Sequence, residues 1–163
     1  MTTANSTDIY TDNTTTWSAI GNDVTECTDL AQVLESSGLD YRVEKIPLTV
    51  AGTDIVVPNR YITCRPDGNG GLKTYDVVSD KFQMVQNRDA FDFVNYMDED
   101  IIFEKAGETV GGMVYIIARL PEVDVLGDQF VPHVIFRNGF DGKNQIMAAI
   151  CPLRIVCQNQ FNV

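Results

Sequence analysis

The segment DIVVPNRYITCRPDGNGGLKTYDVVS, residues 54–79, decides the fold that this sequence predicts. Its two arms are rich in Val, Ile, Thr and Tyr, which favour β-strands. Between them PDGNGG, residues 66–71, supplies glycines for the positive φ angles of tight turns. Phosphate-binding loops are also glycine-rich, but no Gly-Lys-Ser/Thr motif follows here. The segment therefore predicts a β-hairpin.

Strand patterns lie on both sides of this hairpin. The stretch YRVEKIPLTV (41–50) alternates apolar and polar residues, as a half-buried strand does. Residues 101–122 predict a strand, a turn at Gly107 and a longer strand. Residues 128–157 predict another hairpin, across NGFDGKN (138–144). Strands joined by such short turns pair antiparallel.

The first predicted helix covers residues 25–41. Thr25 or Thr28 can cap its N-terminus, and Gly38 can end it. Its apolar stripe consists of Leu30, Val33 and Leu34.

The second predicted helix covers residues 87–100. Asn87 can cap it, and Asp89 suits its first turn. Its apolar stripe consists of Ala90, Phe91, Val94 and either Met97 or Tyr96. Together these patterns predict an α+β fold, a mostly antiparallel sheet of hairpins with two or so helices packed on one face.

The charge is unevenly distributed along the chain. The net charge is −11, yet residues 1–41 contain seven acidic residues and no basic one. The seven are Asp8, Asp12, Asp23, Glu26, Asp29, Glu35 and Asp40. We expect residues 1–16 to be a flexible acidic and polar tail, and residues 17–163 to be a single α+β domain. The acidic residues of the 1–41 segment can act as an arm that binds a basic partner protein.

The residues give little sign of catalysis. The single histidine, His133, follows Pro132 in a predicted strand, where a structural role is expected. The acidic run at 98–100 points in several directions, unlike converging metal ligands. We therefore expect no enzymatic activity, no cofactor, no metal and no small-molecule substrate.

The chain also carries no membrane signal. Its apolar runs are shorter than the roughly 18 residues of a membrane span, and its N-terminus does not resemble a secretion signal. We expect a protein of the bacterial cytoplasm that does not bind a membrane.

A local basic strip is predicted within the first half of the chain. Six basic residues fall within 40 positions: Arg42, Lys45, Arg60, Arg65, Lys73 and Lys81. Tyr61 and Tyr75 lie among them and can stack on bases. On adjacent strands these residues could bind nucleic acid despite the net negative charge, or they could form a mixed-charge solvent face.

Two amide clusters stand out. Gln86 and Asn87 lie where a strand meets a helix, and they could cap that helix or bind a partner's backbone. The second cluster, Gln158, Asn159 and Gln160, lies near the end of the sequence and follows Arg154 and Cys157.

These residues resemble a family of phage- and plasmid-like proteins known as domain of unknown function 932. The resemblance begins at Trp17 and continues through residues 35–48, 60–93, 103–121 and 137–161. The family's Arg-Val-Val-Cys-Gln-Asn-Thr type motif corresponds here to Arg154–Gln160. Family members continue into a further helical region, so we expect this chain to be a shortened form.

Three functions remain open from the sequence. The first is a non-enzymatic phage or plasmid accessory protein that handles nucleic acid, either alone or as an oligomer similar to single-strand annealing proteins. The second is a small acidic inhibitor of a host defence nuclease, similar to an anti-CRISPR protein. The third is a structural or assembly protein of a phage particle. The expected partners are accordingly a second copy of the chain and single-stranded nucleic acid, or a basic host protein.

Overall fold

The computed structural model describes residues 21–97, 100–126, 128–144 and 146–151. The predicted tail at 1–16 and the end of the chain at 152–163 lie outside these residues. The helical segments are α1 (Leu30–Ser36), α2 (Asn87–Phe91) and a 3₁₀ turn (Asp92–Tyr96). The strands are β1 (Asn22–Asp23), β2 (Glu44–Thr49), β3 (Val56–Pro66), β4 (Leu72–Ser79), β5 (Ile102–Glu108), β6 (Val114–Arg119), β7 (Val123–Val125), β8 (Asp128–Phe130), β9 (His133–Asn138) and β10 (Met147–Cys151).

The predicted α+β fold is confirmed. Five strands form one sheet in the order β1-β5-β6-β9-β10, and β2-β3-β4 form a second sheet. Every pairing is antiparallel. A small hairpin of β7 and β8 was not predicted, because its turn uses Leu126 at φ 57° where glycine or asparagine would be expected. Within the described residues no helix is long and apolar enough to cross a membrane.

Both helices pack on one face of the five-stranded sheet. The predicted stripe of α1 is buried, as are Ala90, Phe91 and Val94 of the second helical region. They share one apolar core with alternate residues of the central strands, among them Val114, Ile116 and Phe136. Burying each such side chain contributes about 1.5–3 kcal/mol, so this core holds the helices on the sheet.

The N-terminus of α1 differs from the prediction. Asp29 is the capping residue, and its carboxylate accepts a hydrogen bond from the Gln32 backbone N–H at 2.9 Å. The predicted caps Thr25 and Thr28 both precede it. Gly38 ends the helix as predicted, with φ at 70°.

The second predicted helix is shorter than expected, and Asn87 does not cap it. Gln86 occupies the capping position without a side-chain capping bond, while the Asn87 side chain is buried and bonded elsewhere. The α-helix ends at Phe91 and continues only as the 3₁₀ turn.

The turn predicted at Gly107 was also wrong. Gly107 lies within β5, paired with Tyr115, and the turn follows at Thr109–Gly112. A Cβ atom on Gly107 would lie 2.7 Å from the Tyr115 hydroxyl. The glycine is therefore needed for close packing against a tyrosine ring and does not form a turn.

The three-stranded sheet contains the predicted hairpin, with its turn at 67–71 between β3 and β4. Its inner face packs on the loop after β9, where the Thr63 hydroxyl donates to the Phe140 carbonyl at 2.6 Å. The rings of Tyr75 and Phe140 lie 5.3 Å apart between centroids. Because strand side chains alternate, the opposite, outer face of this sheet points away from that loop.

Candidate functional site

The structure divides the predicted basic strip between several places. The pairings of Lys45 with Thr63 and of Arg65 with Lys73 place these cations on the inner face of the three-stranded sheet. Arg60 precedes Tyr61 and points to the outer face. Arg42 and Lys81 lie outside the strands. The eight predicted residues therefore do not form one continuous strip.

Arg65 and Lys73 belong to a cluster around Glu108, at the end of β5. Arg65 Nη2 lies 3.2 Å from one Glu108 carboxylate oxygen, and Lys73 Nζ lies 2.8 Å from the other. Arg65 also donates to the Tyr75 hydroxyl at 3.0 Å and stacks 4.0 Å above the Tyr41 ring. We call these five residues the Glu108 cluster. It joins the two sheets, and no sequence signal indicated it because Glu108 follows Arg65 by 43 positions.

The electrostatics of the Glu108 cluster are balanced internally. Burial alone would raise the pKa of Glu108, but the hydrogen bonds and charges of Lys73 and Arg65 outweigh it and lower that pKa. Burial raises the pKa of Tyr41 far above its ordinary value, so its phenol stays neutral. Arg65 and Lys73 therefore mainly neutralise the Glu108 carboxylate.

Lys45 lies in a different environment. Its ammonium group lies 4.7 Å from the centroid of the Tyr61 ring and donates to the carbonyls of Asp80 and Phe82, at 2.8 and 3.0 Å. Lys81 lies between Asp80 and Phe82 in the sequence, and its side chain is exposed.

Arg42 lies three positions before Lys45 in the chain, just ahead of β2. It directly precedes Val43, whose backbone forms two hydrogen bonds with the Gln86 side chain, both 3.0 Å. Arg42 and Lys81 are exposed and form no ion pair with a described residue. We call Arg42, Lys45, Tyr61 and Lys81 the Lys45 patch.

The first amide cluster is bonded within the protein itself. Asn87 is 1% exposed and donates to the Leu39 carbonyl at 2.9 Å. Its carbonyl accepts from Asn138, which also donates to the Val85 carbonyl, both at 3.0 Å. These bonds join α2 to β9 and to the segment after α1. The second cluster, with Arg154, Cys157, Gln158 and Asn159, lies outside the described residues.

Three of the predicted acidic residues stabilise the fold. Asp23 accepts from Lys105 at 3.0 Å, and Asp29 caps α1. Asp40 binds Arg88 through both carboxylate oxygens at 2.6 Å, and this hydrogen bonding lowers the pKa of Asp40. Glu26 and Glu35 are exposed without an ion pair to any described residue, and Asp8 and Asp12 lie outside the described part of the chain.

The helical layer is nevertheless strongly acidic. Residues 21–41 and 86–97 contain a single base, Arg88. Their acids are Asp23, Glu26, Asp29, Glu35, Asp40, Asp89 and Asp92. Because α1 packs against α2, these charges share one region of the surface.

His133 is buried at the start of β9. One ring nitrogen lies 3.2 Å from Glu104, and the other lies 3.1 Å from the Val131 carbonyl. The hydrogen bond from His133 lowers the pKa of Glu104. Among the described residues, no group of three or more His, Cys, Asp or Glu side chains is placed to hold a metal ion.

These elements define an α+β protein with a helix-covered antiparallel sheet and a smaller, largely exposed second sheet. The chain belongs to the family described as domain of unknown function DUF932, whose model matches residues 74–163. This confirms the resemblance over β4, the second helical region and most of the large sheet. No curated protein matches the chain, and neither does any solved structure.

Proposed function

We propose that this protein is a non-enzymatic accessory protein of a phage or plasmid that binds single-stranded nucleic acid in the bacterial cytoplasm. The observation that carries the proposal is the Lys45 patch. It places an ammonium group on a tyrosine ring, beside the exposed Lys81, at the rim of a sheet. Single-strand binding sites combine cations along the phosphates with aromatic rings that stack on bases.

The patch is a better candidate than the Glu108 cluster. Arg65 and Lys73 already share a carboxylate whose side chain is 10% exposed, so phosphate would have to compete with it. Arg42 and Lys81 can bind phosphate without breaking an ion pair with any described residue. Since the chain carries a net charge of −11, we expect modest affinity that depends strongly on salt.

A titration of a fluorescent single-stranded oligonucleotide at several salt concentrations tests this function. Three phosphate contacts, from Arg42, Lys45 and Lys81, predict a slope of log K against log salt of about −2. Affinity should lie in the micromolar range at about 50 mM salt. Absence of binding at that salt, or binding that does not change with salt, contradicts the proposal.

The second candidate is an acidic inhibitor of a host nuclease, favoured by the acidic helical layer. Such a surface can bind a basic nucleic-acid groove in place of nucleic acid. The part of the acidic helical layer that begins at residue 21 cannot be deleted to test this function, because Leu30, Val33 and Leu34 belong to the core. The same titration distinguishes the two functions, since an inhibitor of this kind has no need to bind the oligonucleotide itself.

A further inference from the structure

The outer face of the three-stranded sheet is apolar at its centre. Ile46, Ile62 and Val77 are directly paired across β2, β3 and β4 and form one row of aliphatic side chains. Val77 is 43% exposed, and Leu72, further along β4, is 59% exposed. The two lie on the same face because a β-bulge between the Ile62 and Cys64 pairings shifts the alternation of β4 by one residue.

The described elements that cover this sheet lie on its inner side. Phe140 contacts Tyr75 there, and Gly142 lies close to Val78. Ile46 and Ile62 are half-buried and Val77 is exposed, so the aliphatic row is partly open at the centre of the sheet, as is typical of an interaction surface.

The charges on this face indicate a second copy of the same chain. Glu44 lies one row from the aliphatic row at one end, paired with Cys64. Arg60 lies one row away at the other end, paired with Ser79. The face is therefore acidic at one end, apolar in the middle and basic at the other end.

This order is self-complementary under a two-fold axis that runs across the strands in the plane of contact. Such an axis reverses the strand direction between copies, so that the aliphatic row meets itself. The Arg60 row then lies over the Glu44 row of the second copy. Neighbouring strands are about 4.8 Å apart, a distance that an arginine side chain spans to reach the carboxylate.

We infer that the outer face of β2-β3-β4 forms a two-fold symmetric dimer interface, with Arg60 of each copy paired to Glu44 of the other. Three strands of about eight residues offer roughly 400 Å² of flat area per copy, or about 800 Å² in the pair. Interfaces of this size give weak, reversible association. The inference does not depend on nucleic-acid binding, because the Lys45 patch lies on the inner side and rim of the sheet.

Sedimentation velocity of the full chain without nucleic acid tests the dimer. We expect concentration-dependent dimerisation at about 10–100 µM. Val77→Glu should weaken it at least tenfold, because it buries a carboxylate in the aliphatic row. The matched control is Val110→Glu, at a fully exposed turn position away from this face, which should leave dimerisation unchanged.

A charge exchange tests the specific pairing. Arg60→Glu alone and Glu44→Arg alone should each weaken the dimer, because like charges then face each other. The double variant Arg60→Glu/Glu44→Arg should restore it to within about threefold of the original. A chain that stays monomeric at about 500 µM overturns the inference. So does a dimer that is unaffected by Val77→Glu, or one that the double exchange does not restore.

Discussion

Replacing Asn87 by leucine is expected to lower the free energy of unfolding by about 3 kcal/mol. Leucine keeps nearly the same volume but removes both the donor to the Leu39 carbonyl and the acceptor for Asn138. Each buried polar group left without a partner costs about 1–3 kcal/mol. Urea denaturation followed by circular dichroism measures the change, with an unchanged dependence on denaturant showing that the folded state is preserved.

Asn95→Leu is the control for this substitution. Asn95 is exposed, and its side-chain amide donates to Asp92 at 3.2 Å on the protein surface. We expect a loss of less than about 0.5 kcal/mol. If Asn87→Leu costs as little as Asn95→Leu, the buried amide network does not hold the helical region to the sheet.

Replacing Glu108 by glutamine is expected to cost about 2 kcal/mol at neutral pH. The substitution leaves Arg65 and Lys73 without their shared carboxylate. Removing one partner of a fully buried pair costs about 3–5 kcal/mol, and the partial exposure of both cations reduces this figure.

The pH dependence of this loss has a definite sign. The pKa of Glu108 is lower in the folded protein than its ordinary value of 4.5. Its contribution is therefore complete above about pH 4.5 and is lost as the pH falls through the lower folded pKa. The difference between the original protein and Glu108→Gln should shrink over that acidic range. Glu122→Gln, at an exposed position, should show no such difference at any pH.

The parts of the fold that the sequence predicted correctly depend on local chemistry. The glycines of residues 66–71 form the expected hairpin turn, and Gly38 ends α1 by adopting a positive φ. The stripe in α1 follows the helical period and is buried. These outcomes follow from backbone freedom and side-chain spacing, which can be read within a short window.

The errors share a different cause. Asn87 is a good capping residue by type, but its partners Leu39 and Asn138 lie 48 and 51 positions away in sequence. Gly107 suits a turn by type, but it accommodates the Tyr115 ring from the neighbouring strand. Such distant contacts override a residue's local preference, and a single sequence does not reveal them.

The candidate site was predicted only in part for the same reason. The sequence indicated a group of cations and tyrosines, but not which face of the sheet each would occupy. Glu108, which belongs to the five-stranded sheet, binds two of the six cations of the three-stranded sheet region. Arg60 points to the opposite face of the three-stranded sheet from Tyr61. The smaller Lys45 patch is the surface that we propose for nucleic-acid binding.

Oligonucleotide binding by two matched double variants tests the central proposal most directly. Arg42→Gln/Lys81→Gln removes two cations from the Lys45 patch, and Arg88→Gln/Lys143→Gln removes two exposed cations elsewhere, which pair with Asp40 and Asp76. Both variants have the same net charge, so general electrostatics affects them equally. At about 50 mM salt we predict that the patch variant loses at least tenfold in affinity and about two thirds of the salt slope, while the control stays within twofold. Equal losses in the two variants would contradict the assignment of the Lys45 patch as the binding surface.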